Sequence, residues 1–276
     1  MEPFVLKTKE YFSIEAWEKE WPDLVVGFTT KNGGVSQQDF SSFNFGFHVG
    51  DKVESVCHNK QKLSSIIKFP VESWVAAEQT HGINIKRIQK EVCGSGSYQY
   101  DDSIPDTDGF FTENKGILLT LCYADCVPIY FIDKVTKRIG IAHAGWKGSV
   151  NGIAKRMILN WVSEGSNLKD ILVAIGPSIC EDCYIVDDFV IAFVRKILVD
   201  VEKKPYNLIN KDQYRLNLKQ FNKLQLIQAG ITESNIYVTE YCSSCHDKEF
   251  FSHRRDKGKT GRMMSFIGWK EDSQTI

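Results

Sequence analysis

The sequence lacks a long apolar run, an excess of charge of one sign and a large complement of histidine. None of its apolar segments approaches the roughly 20 residues that a bilayer-spanning helix needs. The N-terminal segment has no basic stretch followed by an apolar run, so we predict no signal peptide and a cytoplasmic location. The formal net charge is −1, which provides no long-range field for nucleic acid or an anionic membrane. We therefore expect a protein that binds neither nucleic acid nor membrane.

Cysteine, by contrast, is well represented, with eight residues in the chain. Disulfides are rare in a reducing cytoplasm, so metal ligation, thiolate chemistry or simple burial is the expected use. Two C-x-x-C pairs, Cys180–Cys183 and Cys242–Cys245, have the pattern of a structural four-cysteine zinc site. The pairs are 58 residues apart, which is far longer than the separation in a compact zinc ribbon.

Short apolar runs, broken by turn residues, dominate the centre of the chain. They lie at 117–122, 127–132 and 138–142. Such runs are typical of strands that are buried on both faces. Apolar periodicity predicts helices over about 54–67 and 149–163, and a strand at 263–267 closes the sheet. Strands and helices are intermixed without a repeat or a linker, so we predict one α/β domain with a mixed sheet, spanning 1–276.

Three segments each place a metal-binding residue type beside small residues at a predicted strand end. His81 lies in a QTHG turn, Cys126 in ADCVP, and His143 in AHAGWKG. Imidazole and thiolate donors favour zinc over calcium or magnesium, and three protein ligands leave a fourth position open, as in catalytic zinc sites. Taken singly, a histidine at a strand end is more often a hydrogen-bonded structural residue than a ligand, and a lone cysteine is most often a small buried apolar residue. Only the fold can bring the three together.

A basic segment with two glycines lies near the C-terminus. Arg254 and Arg255 are adjacent there, and Arg262 follows in the same segment. Guanidinium groups bind phosphate through paired hydrogen bonds, so the segment is a candidate anion site. The alternative is a solvated basic loop, which is the more common role of such runs.

Several of these motifs form an ordered series along nearly the whole chain. The series is QTHG at 79–82, D-x-D-G at 106–109, ADCVP at 124–128, AHAGWKG at 142–148, IGPSI at 175–179, CYIV at 183–186 and FFSHRRDKGKTGRM at 250–263. Each motif alone is weak, but the ordered set resembles the bacterial laccase-domain family. That family is described both as multicopper polyphenol oxidases and as purine nucleoside phosphorylases.

The resemblance implies a fold and a metal site. The fold is an αββα layered sandwich, and the metal, zinc or alternatively copper, is bound by His81, Cys126 and His143. The resemblance gives less weight to the four-cysteine site, because Cys180 and Cys245 lie outside the family pattern.

The resemblance also implies activities. They are phosphorolysis of adenosine, inosine, guanosine and methylthioadenosine, together with hydrolytic deamination of adenosine. Zinc lowers the pKa of a bound water toward about 7, which suits deamination. Asp125 is the candidate proton carrier if the chain turns there, because adjacent strand residues point to opposite faces. Lys147, Arg254 and Arg255 are the candidates for binding phosphate.

Two other enzyme classes share these residues. Copper-dependent oxidation of phenols is one, although the chain has only six histidines and no His-x-His pair. A cysteine hydrolase is the other, with Cys126 as the nucleophile and His143 or His81 as its base. The metal content of the protein separates these classes. Nothing in the sequence indicates the oligomeric state.

Two positions depart from the family pattern. Lys31 and Lys60 stand where the family has arginine. A lysine keeps the positive charge but cannot form the bidentate hydrogen bonds of a guanidinium, so neither position is a strong candidate for binding an anion.

Overall fold

Residues 2–198 and 203–271 are described in a computed structural model, and their strands form two six-stranded sheets and one three-stranded sheet. The strands are β1 Phe4–Thr8, β2 Tyr11–Ile14, β3 Leu24–Thr29, β4 Trp74–Val75, β5 Ile85–Arg87, β6 Gly109–Thr112, β7 Ile117–Tyr123, β8 Val127–Asp133, β9 Ile139–Ala144, β10 Ile171–Ile175, β11 Ile185–Val186, β12 Tyr206–Asn210, β13 Gln213–Leu216, β14 Ile236–Val238 and β15 Met263–Trp269. The helices are α1 Glu15–Glu20, α2 Val53–Ile67, α3 Trp146–Val150, α4 Ile153–Ser163, α5 Asp188–Ile197 and α6 Leu218–Gln228.

The strand order of each sheet mixes distant parts of the chain. The first large sheet has the order β1-β2-β3-β15-β7-β4, and β15 pairs antiparallel with both β3 and β7. The second has the order β14-β10-β8-β9-β6-β5, in which β10 and β14 are parallel neighbours. The small sheet has the order β11-β13-β12.

The two large sheets bury one shared apolar layer between them. Phe28 and Leu119 of the first sheet belong to the same buried cluster as Tyr130 and Ile141 of the second. Full burial of each such side chain contributes about 1.5–3 kcal/mol relative to exposure. This layer joins the sheets face to face.

Helices cover the outer face of each large sheet. Leu63 and Ile67 of α2 pack on the first sheet beside Trp74. Met157 and Trp161 of α4 pack on the second sheet, in a cluster that also includes apolar residues of α5 and α6. The order of layers is therefore helix, sheet, sheet, helix, and the predicted αββα layered sandwich is confirmed.

Most predicted elements of the centre are confirmed, with one correction. The three central strands and α2 lie within two residues of their predicted ends. The helix predicted over 149–163 is wrong as one element, because it consists of α3 and α4. Gly152 separates them with φ of 80°, a left-handed conformation that interrupts the helical hydrogen bonds. The domain bounds 1–276 include residues outside the described ranges and stay a prediction.

No helix within residues 2–198 and 203–271 is both long enough and apolar enough to cross a membrane.

Lys60 of α2 is buried inside the fold. Its Nζ donates a hydrogen bond of 2.7 Å to the carbonyl of Gly96 and lies 4.7 Å from the centre of the Phe47 ring. Burial lowers the pKa of Lys60 from 10.5 to about 8. The ammonium is thus held by a loop carbonyl, and the residue serves the packing of α2 against that loop.

This burial predicts a pH-dependent stability. The unfolded chain retains the lysine pKa of 10.5 and so binds more protons than the folded chain above a pH of about 8. The free-energy cost of burying the charged ammonium is therefore fully present below pH 8. This cost falls as the pH rises toward 10.5, because the folded protein loses the proton first. Between pH 7 and pH 10, the wild-type protein should gain about 2 kcal/mol of unfolding free energy relative to Lys60→Met, which cannot titrate. Urea unfolding of both proteins at the two pH values measures this, and parallel pH curves would show that Lys60 keeps its ordinary pKa.

Candidate metal centre

The fold brings together the three ligands predicted from the sequence. His81 lies in the turn between β4 and β5, Cys126 immediately precedes β8, and His143 lies in β9. Their ligand atoms all lie within 4.8 Å of one another. The Cys126 Sγ is 3.8 Å from the His81 Nε2, and the two histidine rings are 4.8 Å apart at an edge-to-face angle. We call these three residues the His–Cys–His centre.

Two residues at the centre have unusual backbone geometry, and a third position has no room for a side chain. His81 has a φ of 61° and Asp125 a φ of 90°, both in the left-handed region that few non-glycine residues adopt. The turn at Asp125 meets the condition for its predicted role, since its side chain can face the same cavity as that of Cys126. A Cβ at Gly145 would lie 2.8 Å from the His81 ring and 3.1 Å from the Cys126 Sγ. Only glycine therefore leaves room for these two side chains.

The buried carboxylate of Asp108 organises the centre. Its Oδ1 lies 2.7 Å from the Nδ1 of His143 and accepts the backbone N–H of His81 at 3.1 Å. Its Oδ2 accepts the backbone N–H groups of Gly82 at 2.7 Å and Thr80 at 3.2 Å. A carboxylate on Nδ1 fixes the ring tautomer and leaves Nε2 as the metal-facing donor. Sequence reasoning gave Asp108 no role, and its only signal was its place in the D-x-D-G motif.

The electrostatics of the centre favour a thiolate. Burial alone would raise the pKa of Cys126 and lower that of His143. The attraction between thiolate and imidazolium outweighs burial, so the pKa of Cys126 falls to about 6 and that of His143 rises to about 9, with Asp108 also favouring the imidazolium. A thiolate is the form that binds a metal, and it is also the form that a nucleophilic cysteine needs.

The donor set fits a transition metal. One thiolate and two imidazoles suit zinc, and the same donors suit copper. The hydrogen bond from His143 to Asp108 is of the kind that supports metal-binding histidines, and Gly145 keeps the space beside the ligands open.

The His–Cys–His centre lies in the wall of a cavity of about 550 Å³. Three cationic side chains, Lys147, Arg254 and Arg262, line the same cavity, as does Asp125. The aromatic rings of Tyr100, Trp146 and Tyr184 form part of its surface. Of the predicted site residues, the structure thus gathers all but Arg255 around one space.

Arg255 is turned away and is held by its own loop. Its guanidinium donates to both Asp256 carboxylate oxygens and to the backbone carbonyls of Ser243, Ser244 and Phe250. Arg255 does not line the cavity, and these hydrogen bonds occupy its guanidinium, so its role in binding phosphate stays a prediction that the geometry of this cavity does not favour. Charge alone could not show which of two adjacent arginines folds back onto the loop.

Arg254 links the cavity wall to Asp125. Its backbone N–H donates to the Asp125 Oδ2 at 2.7 Å, and its Nη1 donates to the carbonyl of Ile185 at 3.0 Å. Its guanidinium lies 5.0 Å from the centre of the Tyr184 ring. The side chain is exposed and remains open to an anion in the cavity.

His48 is a cavity residue that sequence reasoning missed. Partial desolvation at the cavity wall, and then the nearby charge of Arg262, lowers the pKa of His48 to about 4, so the ring is neutral at pH 7. A neutral imidazole offers one donor and one acceptor to a bound polar molecule. His48 lies in a single 3-10 turn, Phe47–Val49, and a lone histidine in so short an element has no spacing pattern that would mark it.

The chain is similar to known proteins along nearly its whole length. The sequence profile of the family described as multi-copper polyphenol oxidoreductase laccase matches residues 25–270. The purine nucleoside phosphorylase YlmD of Geobacillus stearothermophilus is 46% identical over 249 residues, which are 90% of this chain and 91% of that protein. The purine nucleoside phosphorylase YlmD of Bacillus subtilis is 43% identical over 273 residues, or 98% of each chain.

Solved structures show the same fold. The crystal structure of YlmD from Geobacillus stearothermophilus matches with a TM-score of 0.95 at 43% identity, over 98% of this chain and 100% of that one. The crystal structure of the Bacillus licheniformis hypothetical protein YfiH matches with a TM-score of 0.94 at 46% identity, with the same coverage. The chain belongs to the multicopper polyphenol oxidoreductase laccase family.

Proposed function

We propose that this protein is a zinc-dependent purine nucleoside phosphorylase that also deaminates adenosine. One observation carries the proposal: the His–Cys–His centre and three cationic side chains line the same cavity of about 550 Å³. Phosphorolysis requires phosphate beside the nucleoside, and cations in a concave site attract that anion. The name of the relatives that are 43–46% identical over nearly their whole length supports the same activity.

Lys147 and Arg254 are the proposed phosphate ligands. Lys147 is exposed at the start of α3, and none of the carboxylates in the described ranges lies within ion-pair distance of its ammonium. Arg254 has one guanidinium nitrogen on the Ile185 carbonyl and others left for the anion. A charge-assisted hydrogen bond of this kind contributes about 1.5–3 kcal/mol.

Aromatic side chains provide a surface for the base. The rings of Trp146 and Tyr184 both line the cavity. The Lys147 ammonium lies 5.9 Å from the centre of the Trp146 ring, and the Arg254 guanidinium lies 5.0 Å from that of Tyr184. Stacking of a nucleobase on an aromatic ring contributes about 1–3 kcal/mol for any base. This tolerance is consistent with the proposed range of substrates: adenosine, inosine, guanosine and methylthioadenosine.

The His–Cys–His centre would hold zinc, which supplies a Lewis acid that polarises an oxygen. The chain's own residues orient that centre and move protons near it. Asp125 is the proposed proton carrier in adenosine deamination. Its carboxylate lies on the cavity wall and accepts hydrogen bonds from the Ser243 hydroxyl and the Arg254 backbone N–H. Each carboxylate oxygen can accept a further hydrogen bond, so both remain able to take a proton from water.

Product analysis tests the proposal. Each nucleoside is incubated with the protein, with and without inorganic phosphate, and the products are separated by chromatography. We expect free base and the 1-phosphate of the nucleoside's own sugar only with phosphate: ribose 1-phosphate from adenosine, inosine and guanosine, and 5-methylthioribose 1-phosphate from methylthioadenosine. Without phosphate we expect inosine from adenosine. Oxidation of phenols by copper-loaded protein, without release of any base, would instead favour the polyphenol oxidase alternative.

Replacing Arg254 with alanine should separate the two activities. Loss of one charge-assisted hydrogen bond should raise the KM for phosphate by about tenfold or more. Deamination of adenosine needs no phosphate and should change by less than about threefold, because the backbone N–H that Asp125 accepts is kept. Steady-state kinetics with varied phosphate measures the difference. Lys259→Ala is the control, since it removes a charge from the same segment outside the cavity, and equal loss of both activities in Arg254→Ala would exclude a phosphate-specific role.

A further inference from the structure

Four cysteine side chains form a cluster outside the cavity. The Sγ atoms of Cys180, Cys183, Cys242 and Cys245 all lie within 4.8 Å of one another, and we call this group the thiol cluster. The Cys245 Sγ is 3.4 Å from that of Cys183 and 3.8 Å from that of Cys180. Zinc–sulfur bonds of about 2.3 Å place the sulfurs of a tetrahedral site about 3.8 Å apart. The cluster already has the dimensions of such a site.

The sheet explains how pairs 58 residues apart meet. The first pair follows β10 and the second follows β14, and these strands are parallel neighbours. Their carboxyl ends lie at the same edge, where Ser178 and Cys242 form a further parallel bridge. The long separation, which argued against a compact zinc ribbon, is only the length of the crossover between adjacent strands.

Backbone amides already point at one sulfur of the thiol cluster. The N–H of Cys180 donates to the Cys242 Sγ at 3.2 Å, and the N–H of Cys245 donates to it at 3.4 Å. Amide donors stabilise negative charge on sulfur, and hydrogen bonds of this kind support metal ligands. One amide from each pair thus converges on the Cys242 sulfur, which is the buried member of the cluster.

We propose that the thiol cluster binds one zinc ion as a closed, structural site, separate from the His–Cys–His centre. Four protein ligands leave no open position, which distinguishes structural from catalytic zinc. One or two disulfides are the competing use of these thiols, but all four cysteines are free thiols in the structure.

The site would fasten two parts of the cavity wall. Ile179 and Tyr184, which flank the first cysteine pair, both line the cavity. Ser243, within the second pair, donates its hydroxyl to the Asp125 Oδ1 at 2.6 Å. An ion held by both pairs would thus fix these wall residues relative to each other without contacting a substrate.

Elemental analysis and X-ray absorption test this site. Protein with Cys126→Ala, which disables the His–Cys–His centre but keeps all four cluster cysteines, should retain about one zinc per chain with four sulfurs at about 2.3 Å. Wild-type protein should contain about one zinc more than the Cys183→Ser/Cys245→Ser variant, whereas Cys57→Ser/Cys93→Ser should match the wild type.

Two results would overturn the proposal, and a third would separate its failure from failure of the proposed function. Absence of a four-sulfur shell in Cys126→Ala protein would overturn the proposal, even if the double cysteine variant fails to fold. Intact mass measured without reductant would overturn it too, if two hydrogens are missing from the cluster cysteines, because that marks a disulfide. A failed catalytic zinc assignment would leave wild type and Cys126→Ala with equal zinc, and the four-sulfur shell would still be present.

Discussion

Cys126→Ala should abolish metal binding at the His–Cys–His centre and lower phosphorolysis and deamination together by more than about 100-fold. Loss of a group that merely supports a metal ligand already costs about 10–100-fold in affinity or activity, and here a ligand itself is lost. The other two ligands, His81 and His143, remain in place but make a weak pair without the thiolate. Zinc content and turnover of both reactions are the measurements. Cys93→Ala, which alters a thiol far from the cavity, is the control.

The same variant cannot by itself exclude a cysteine nucleophile, since Cys126 would be essential in either mechanism. Chelation separates the two. If zinc is required, exhaustive chelation should remove activity, zinc should restore it, and bound zinc should protect Cys126 from iodoacetamide. Cys126→His should keep some zinc and some turnover, because imidazole is also a zinc ligand. Full activity in chelated protein would establish the nucleophile, since no imidazole could replace a covalent step at sulfur.

Asp108→Asn should weaken metal binding by about 10–100-fold at nearly unchanged side-chain volume. The carboxylate accepts the Nδ1–H of His143 and three backbone N–H groups, and an amide can accept on only one of its two atoms. Its NH₂ group would face donors, so His143 would lose its fixed orientation. Leaving buried donors unpaired should also reduce the unfolding free energy by about 1–3 kcal/mol. Competition with a chelator of known affinity gives the metal constant, and urea unfolding gives the stability.

Asp106→Asn is the matched control for this change. Asp106 belongs to the same motif and has a φ of 44°, which asparagine tolerates. Its carboxylate is exposed and, within residues 2–198 and 203–271, accepts hydrogen bonds from the side chains of Thr80 and Asn84 alone. We expect metal affinity to change by less than about threefold. Equal losses in the two variants would mean that charge near the turn, rather than the hydrogen bond to His143, supports the centre.

The sequence predicted the parts of the fold whose burial is complete. β7 and β8 read as continuous apolar runs because nearly every residue in them is buried. β1 was missed because only Phe4 is buried in it, so the strand has neither a run nor an alternating pattern. β12 was missed for the same reason, since none of its five residues is buried. Edge strands are defined by their partners, which local sequence does not specify.

The sequence likewise predicted only part of the candidate site. The ligand set was recognised from ordered motifs, whereas spacing alone left His81, Cys126 and His143 unconnected. The role of Asp108 depends on three backbone N–H groups that only the folded turn presents. The sequence gives the thiol cluster little weight because its two pairs are far apart in the chain and because Cys180 and Cys245 lie outside the family pattern. Parallel pairing of β10 and β14 brings the pairs together.

The position of β15 has a consequence for how the protein is made. This strand lies between β3 and β7, yet it is the last described strand in the chain. At about 5–20 residues per second, the ribosome needs on the order of 10 s to reach β15 after β7 has been synthesised. During that interval one edge of β3 and one edge of β7 have no native partner, and open strand edges are templates for pairing with other chains. The yield of folded protein during synthesis therefore depends on how long these two edges wait for a strand that has not yet been translated.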